Sequence, residues 1–235
     1  MFMKPLKCNL EIFDNEKLLK KTLTIMERDY RPYDPGRYLY KLILQYDDKD
    51  KYSHEFIKLT YVTLSAWNMN SRGAKLNKFD SFKKSIQENR RLLRFFADKS
   101  IEDIDNIKEE LRELFSKLKL VSKNRYSLVT FSKFLHFYFP KLVVPIDRKY
   151  TCTFFHTTIP LGSKEEGQFE KFIQIEEEFS EFSKRHNLKK YVNKNWNLCE
   201  TKVMDNMIIG HQLNSKKRKM NNEKSGINNR GTVRR

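Results

Sequence analysis

Asp147 follows Pro145 and Ile146 and precedes Arg148 and Lys149, which makes it the residue of this chain best placed to do chemistry. It stands where the apolar run Leu142 to Ile146 gives way to two cations, and neighbouring cations favour the ionised form of a carboxyl group. A chain that leaves a buried helix, crosses an apolar stretch and reaches an acid beside two cations is a candidate site. The same residue type also caps helices by accepting their first free amides, and the two uses are compatible. Lys133 and His136 share one turn of the preceding helical stretch. They read either as a snorkelling lysine with a satisfied core or boundary histidine, or as a pair facing a ligand.

A second group lies where an apolar helix ends in a polar, basic loop: Trp67, Asn68, Asn70, Arg72 and Lys75. An indole among amides and cations can stack on a base and hold phosphates, although Trp67 also fits the core stripe of its helix. Tyr30, Tyr33 and Tyr38 interleave with Arg28, Arg31 and Arg37, and Arg90, Arg91 and Arg94 form a third basic cluster that reads most simply as one exposed helix face. Phosphate-loop and dinucleotide fingerprints need several glycines, and neither is present. The five histidines are dispersed, and Cys152 with His156 has the spacing of two metal ligands, which do not make a site. No cofactor is expected.

The segment Phe131 to Thr151, with Ser132-Lys133, Leu135-His136, Pro140, Leu142-Val143, Pro145-Ile146-Asp147-Arg148 and Tyr150-Thr151, resembles a pattern found in uncharacterised prokaryotic proteins. More distantly it resembles the all-helical helix-hairpin-helix DNA glycosylase superfamily, in which a helix leads through a short apolar segment to a catalytic aspartate. The run Ala66 to Leu76 also resembles the prokaryotic proteins. The resemblance implies that Asp147 stabilises positive charge on a sugar as its base leaves, or orients the nucleophile. It places the hairpin at Val121-Ser122-Lys123-Asn124-Arg125, with Lys123 and Arg125 toward nucleic acid; no glycine stands in that turn. The position usual for the lysine of lyase members is here Val129.

Forty-seven Lys and Arg against 30 Asp and Glu give a formal charge of +17, a field that attracts polyanions. Residues 214–235 hold eight basic residues and one acidic, so +7 lies there and +10 in residues 1–213. Nucleic acid, DNA before RNA, is the expected partner, with Arg148 and Lys149 beside Asp147 as further phosphate contacts. No window approaches the roughly 18 apolar residues of a membrane helix. Three widely spaced cysteines argue against a disulfide framework and fit a reducing cytoplasm.

These groups need elements to hold them, and apolar residues recurring at three and four rather than two predict helices throughout. The expected architecture is all-α: one globular domain over 1–213, of about eight helices, and a disordered basic tail over 214–235. Helices are expected at Asn15–Arg28 capped by Asp14, Arg37–Tyr46, Ser53–Asn68, through Phe82 to Phe96, from a Ser100/Asp103 capping box to Lys119, Ser127–Phe139, Lys164–His186 and Leu198–Leu213, with the third at the centre. The expected function is nucleic-acid binding, in the form of a glycosylase-like base-excision enzyme using Asp147. The alternatives are a non-catalytic DNA- or RNA-binding protein and a helical protein-interaction module.

Overall fold

A computed structural model describes residues 10–30, 34–69, 75–122, 127–157 and 165–230, with side chains to Arg218. The architecture is all-α, as the periodicity predicts, and no β-strand occurs among the described residues. One isolated antiparallel bridge joins Leu76 to Val121. The helices are α1 (Glu16–Asp29), α2 (Pro35–Ile43), α3 (His54–Leu64), α4 (Phe79–Glu88), α5 (Arg90–Arg94), α6 (Lys108–Lys117), α7 (Ser127–Tyr138), α8 (Thr151–Phe154), α9 (Glu165–Arg185) and α10 (Glu200–Arg230).

Local chemistry sets most of the helix starts. Asn15, rather than the expected Asp14, caps α1 by accepting from the Leu18 amide at 3.1 Å; Asp14 is drawn instead to the His186 imidazole at 2.7 Å. Asp34 caps α2 through the Gly36 amide, with Pro35 at the first helical position, where a missing N–H costs nothing. Ser53 caps α3. The Ser100 amide donates to the Asp103 carboxylate at 2.8 Å, as the capping-box reading requires, but the box opens the 3-10 helix Ile101–Asn106 and the expected helix is split at Ile107 before α6. The expected fourth helix breaks at Asn89, whose side-chain amide turns back onto the Ser85 carbonyl.

α7, not α3, is the central helix: every residue from Leu128 to Phe139 is buried, whereas Val62 of α3 is 51% exposed. α7 packs against α3 on one side and α9 on another. The most extensive helix pair is α1 with α10. Their crossing is close enough that a Cβ on Gly210 would lie 1.9 Å from the Thr22 carbonyl oxygen, so only glycine fits there. Helix α10 continues past Leu213, where the apolar periodicity ends, and burial fades over the same stretch until Lys216, Lys217 and Arg218 are exposed.

After α7 the chain turns at Leu142, whose amide donates to the Phe139 carbonyl, and crosses the core to Ile146 without helix or strand, all of it buried. Buried backbone must still find hydrogen-bond partners, and here side chains supply them. The His136 Nδ1 meets the Val143 carbonyl at 2.7 Å, the Glu176 carboxyl accepts from the Val144 amide at 3.0 Å, and the Ser132 hydroxyl accepts from the Ile146 amide at 3.0 Å. Three side chains from α7 and α9 thus stand in for a neighbouring strand and fix where Asp147 emerges.

Candidate functional site

Asp147 emerges at a pocket of about 150 Å³ between α7, α10 and the end of α3. Its Oδ1 accepts from the Lys149 amide at 2.7 Å and the Tyr150 amide at 3.3 Å, while its own amide donates to the Thr151 hydroxyl at 3.0 Å. Asp147 therefore caps the turn Arg148 to Tyr150 and not α8 itself, whose N-cap is Tyr150, and the other carboxylate oxygen turns to the pocket. Oδ2 lies 3.4 Å from the Lys133 ammonium, and the Asp147 side chain is 34% exposed. Burial works to raise its pKa, but the Lys133 charge and the two amides outweigh that and hold the carboxyl below its ordinary value.

Lys133 does not snorkel. Its side chain is 6% exposed, and the ammonium donates to the Trp67 carbonyl at 3.2 Å as well as approaching Asp147. Burial lowers its pKa, against the opposing pull of Asp147 and Asp205. The resemblance sets the lyase lysine at Val129, which is buried apolar core; Lys133, one turn further along the same face of α7, is the lysine that reaches the carboxylate.

Trp67 belongs to the pocket as expected. It sits on the π-helical turn Ser65–Met69 that extends α3, an irregularity frequent at functional sites. Its indole N–H donates to the Gly36 carbonyl at 3.2 Å, and its ring packs on Tyr40 and Phe137. Gly36 is obligatory there, because a Cβ would meet Trp67 Cδ1 at 2.7 Å. Tyr30, Tyr150 and Trp196, which also line the pocket, form a run of edge-to-face rings with centroids 5.6 to 5.8 Å apart, and the Arg37 guanidinium covers Trp196 at 4.7 Å. Both tryptophans of the chain therefore line one cavity.

Sequence reasoning missed Lys202 and Asp205. They are 3% and 4% exposed, form an ion pair on one face of α10, and line the pocket, with the Lys202 ammonium 5.0 Å from the Trp67 ring centroid. Burial raises the Asp205 pKa against the Lys202 charge. The available signal was two opposite charges three residues apart, Lys202 just before the mostly apolar run Val203 to Ile209 and Asp205 within it.

His136 is a correction. It is fully buried and cannot touch a nucleic acid. Because the Val143 carbonyl can only accept, Nδ1 carries the proton and Nε2 accepts from the Tyr40 hydroxyl at 2.6 Å. Burial pushes its pKa down to about 3, so the ring is neutral.

Lys149 stands exposed at the pocket rim and Arg148 is exposed beside it, while Lys75 is exposed away from the pocket. Asn70, Arg72, Lys123 and Arg125 lie outside the described residues, as does the side chain of Asn68. Arg90 and Arg94 cover the Tyr52 ring in a separate part of the surface. Cys152 is buried and its thiol pushed up to about 12 by burial, whereas His156 is exposed. No group of three or more metal-ligating side chains converges among the described residues, and no helix among them is long and apolar enough to cross a membrane. No protein-family profile, curated protein or solved structure matches this chain.

Proposed function

We propose that this protein binds DNA through its basic surface, draws one base out of the stack into the pocket, and cleaves its bond to the sugar. One observation carries the reading: an ionised, part-exposed carboxylate, Asp147, paired with a buried ammonium at the wall of an aromatic-lined pocket. Enzymes acting on a base must extract it and read it by stacking and by hydrogen bonds to its edge. Trp67, Tyr30, Tyr150 and Trp196, all in the pocket lining, supply the stacking surfaces. Asp147 then holds the positive charge that develops on the sugar as the base departs, and Lys133 keeps that carboxyl ionised. Lys149 at the rim and the excess positive charge of the chain hold the phosphates.

The test is abasic-site formation on duplex oligonucleotides carrying damaged bases, run beside binding over a salt series. Asp147→Asn should lower turnover by about 100-fold or more while leaving binding intact, since asparagine still caps the following turn. A second reading draws on the fact that both Asp147 oxygens already have partners within the protein. On that reading Asp147 is structural and the protein binds nucleic acid without chemistry. Tight, salt-dependent binding with no abasic product in the wild-type protein would establish it.

A further inference from the structure

Lys202 and Asp205 form a buried ion pair that packing does not explain. Their neighbours Val203, Met204, Met207 and Ile208 are apolar and fully buried. An apolar pair of similar size holds such a helix at least as well, because two charges lose their hydration on burial. Asn206, in the same stretch, has a structural role, since its amide donates to the Trp196 carbonyl at 3.0 Å and to Asn197 Oδ1 at 2.7 Å. Lys202 and Asp205 instead meet each other and the pocket.

The pocket thus holds two ammonium–carboxylate pairs at different depths. Lys133–Asp147 has the more exposed carboxylate, 34% against 6% for Asp205, and so lies toward the mouth, where a sugar would stand. Both ammonium groups stand near the Trp67 ring, Lys202 at 5.0 Å and Lys133 at 5.8 Å, but the Asp205 carboxylate is the more buried, so the Lys202–Asp205 pair would meet the edge of an inserted base.

We propose that the Lys202–Asp205 pair selects bases that present a carbonyl oxygen beside a ring N–H, and that the Lys202 ammonium holds the negative charge gathering on that oxygen as the base leaves. The inference rests on the base-excising reading above. An ammonium can only donate and a carboxylate can only accept, so the carbonyl meets Lys202 and the ring N–H meets Asp205. An amino base can satisfy the two groups in a shifted pose. It then offers the ammonium a ring nitrogen, not the oxygen that collects the departing electron pair. The C1′–N bond breaks with its electrons moving into the base and onto the carbonyl oxygen. Water adds to C1′ and its proton passes to the base, leaving a free base and a hydroxyl-bearing abasic sugar.

The experiment is single-turnover release of uracil, 5-fluorouracil and N7-methylguanine from duplex DNA by the wild-type protein, Lys202→Gln, and the double variant Lys202→Met/Asp205→Leu, which removes both charges together. N7-methylguanine presents the same carbonyl and ring N–H but leaves as a neutral base, so in single turnover at saturating protein it isolates the anion-stabilising step from base selection. The expected result is wild-type release of uracil, a fall of about 100-fold for uracil in both variants, a smaller fall for the better leaving group 5-fluorouracil, and little change for N7-methylguanine. An equal loss on all three substrates overturns the inference, since Lys202 is then only structural. Wild-type release of N7-methylguanine without release of uracil overturns it too while sparing the base-excision reading. A wild-type protein that releases no base from any duplex overturns both.

Discussion

Lys133 and Asp147 are 3.4 Å apart, and each shapes the protonation of the other. The Lys133 charge is a principal force holding the Asp147 carboxyl below its ordinary range against burial. Replacing Lys133 by glutamine removes that force while keeping a donor for the Trp67 carbonyl. The Asp147 pKa should rise, and the acid limb of the pH–rate profile for base release should move to higher pH, because the carboxylate is the active form. An unmoved acid limb would place the titrating group elsewhere. Asp147 itself was legible in the sequence, since an acid between an apolar run and two cations is conspicuous. Lys133 was legible as a residue but not as a buried one: its stem follows α7 inward, and the Trp67 carbonyl and Asp147 that receive its ammonium come from distant positions. Of the two readings of His136, the satisfied core histidine holds and the ligand-facing one does not. A histidine beside a lysine on a helix looks ligand-facing until the Val143 carbonyl and the Tyr40 hydroxyl are seen to occupy both ring nitrogens.

At the scale of elements, helices were legible from periodicity and caps, whereas the crossing that builds the pocket was not. Lys202 and Asp205 reach the site because α10 packs on α1, and that contact depends on a glycine whose partner, Thr22, is distant in sequence. The buried segment Leu142 to Ile146 also escapes periodicity, since its hydrogen-bond partners include side chains of α7 and α9. Glu176 of α9, fully buried, has its pKa pushed well above the ordinary carboxyl value by burial, against the pull of the Val144 amide. It therefore keeps its proton in the folded protein at pH values where the unfolded chain has lost it, and stability falls as pH rises above about 4.5, by about 1.4 kcal/mol per unit. His136 acts with the opposite sign, costing stability as pH falls from about 6.5 towards 3. Glutamine at position 176 still accepts from Val144 and has no proton to lose. In urea melts, Glu176→Gln should match the wild type near pH 4 and gain on it by about 1.4 kcal/mol per pH unit above that. A constant difference across pH would mean that Glu176 is ionised in the fold. Gly36 gives a second outcome at this scale. Gly36→Ala should displace Trp67, shift the tryptophan emission and lower base release by about 100-fold, the cost of a misplacement near 1 Å, with α2 still folded.

For the whole molecule the question is how the +17 charge is used. Of it, +7 belongs to residues 214–235 and +10 to the rest. The tail charges resemble any basic run, and on the proposed DNA-binding reading they would add phosphate contacts without regard to the pocket. Those of the body include Lys149 at the pocket rim and can set the register of a duplex over it. Affinity for duplex DNA falls with salt by a slope of about 0.9 for each phosphate contact, so the two contributions can be separated. Ending the chain after Leu213 removes residues 214–235, the exposed Lys216 to Arg218 stretch among them, along with the surface ion pair of Lys217 with Asp29, which contributes little to stability. The shortened protein should melt near the full-length one, bind more weakly at low salt, and show a shallower but nonzero slope. Its single-turnover release of a base, measured at saturating protein, should be unchanged, because Asp147, Lys133 and the aromatic walls all lie before residue 214. If the slope instead fell to zero, the body would make no phosphate contacts, and a pocket that never meets the backbone of DNA could not be drawing bases from it.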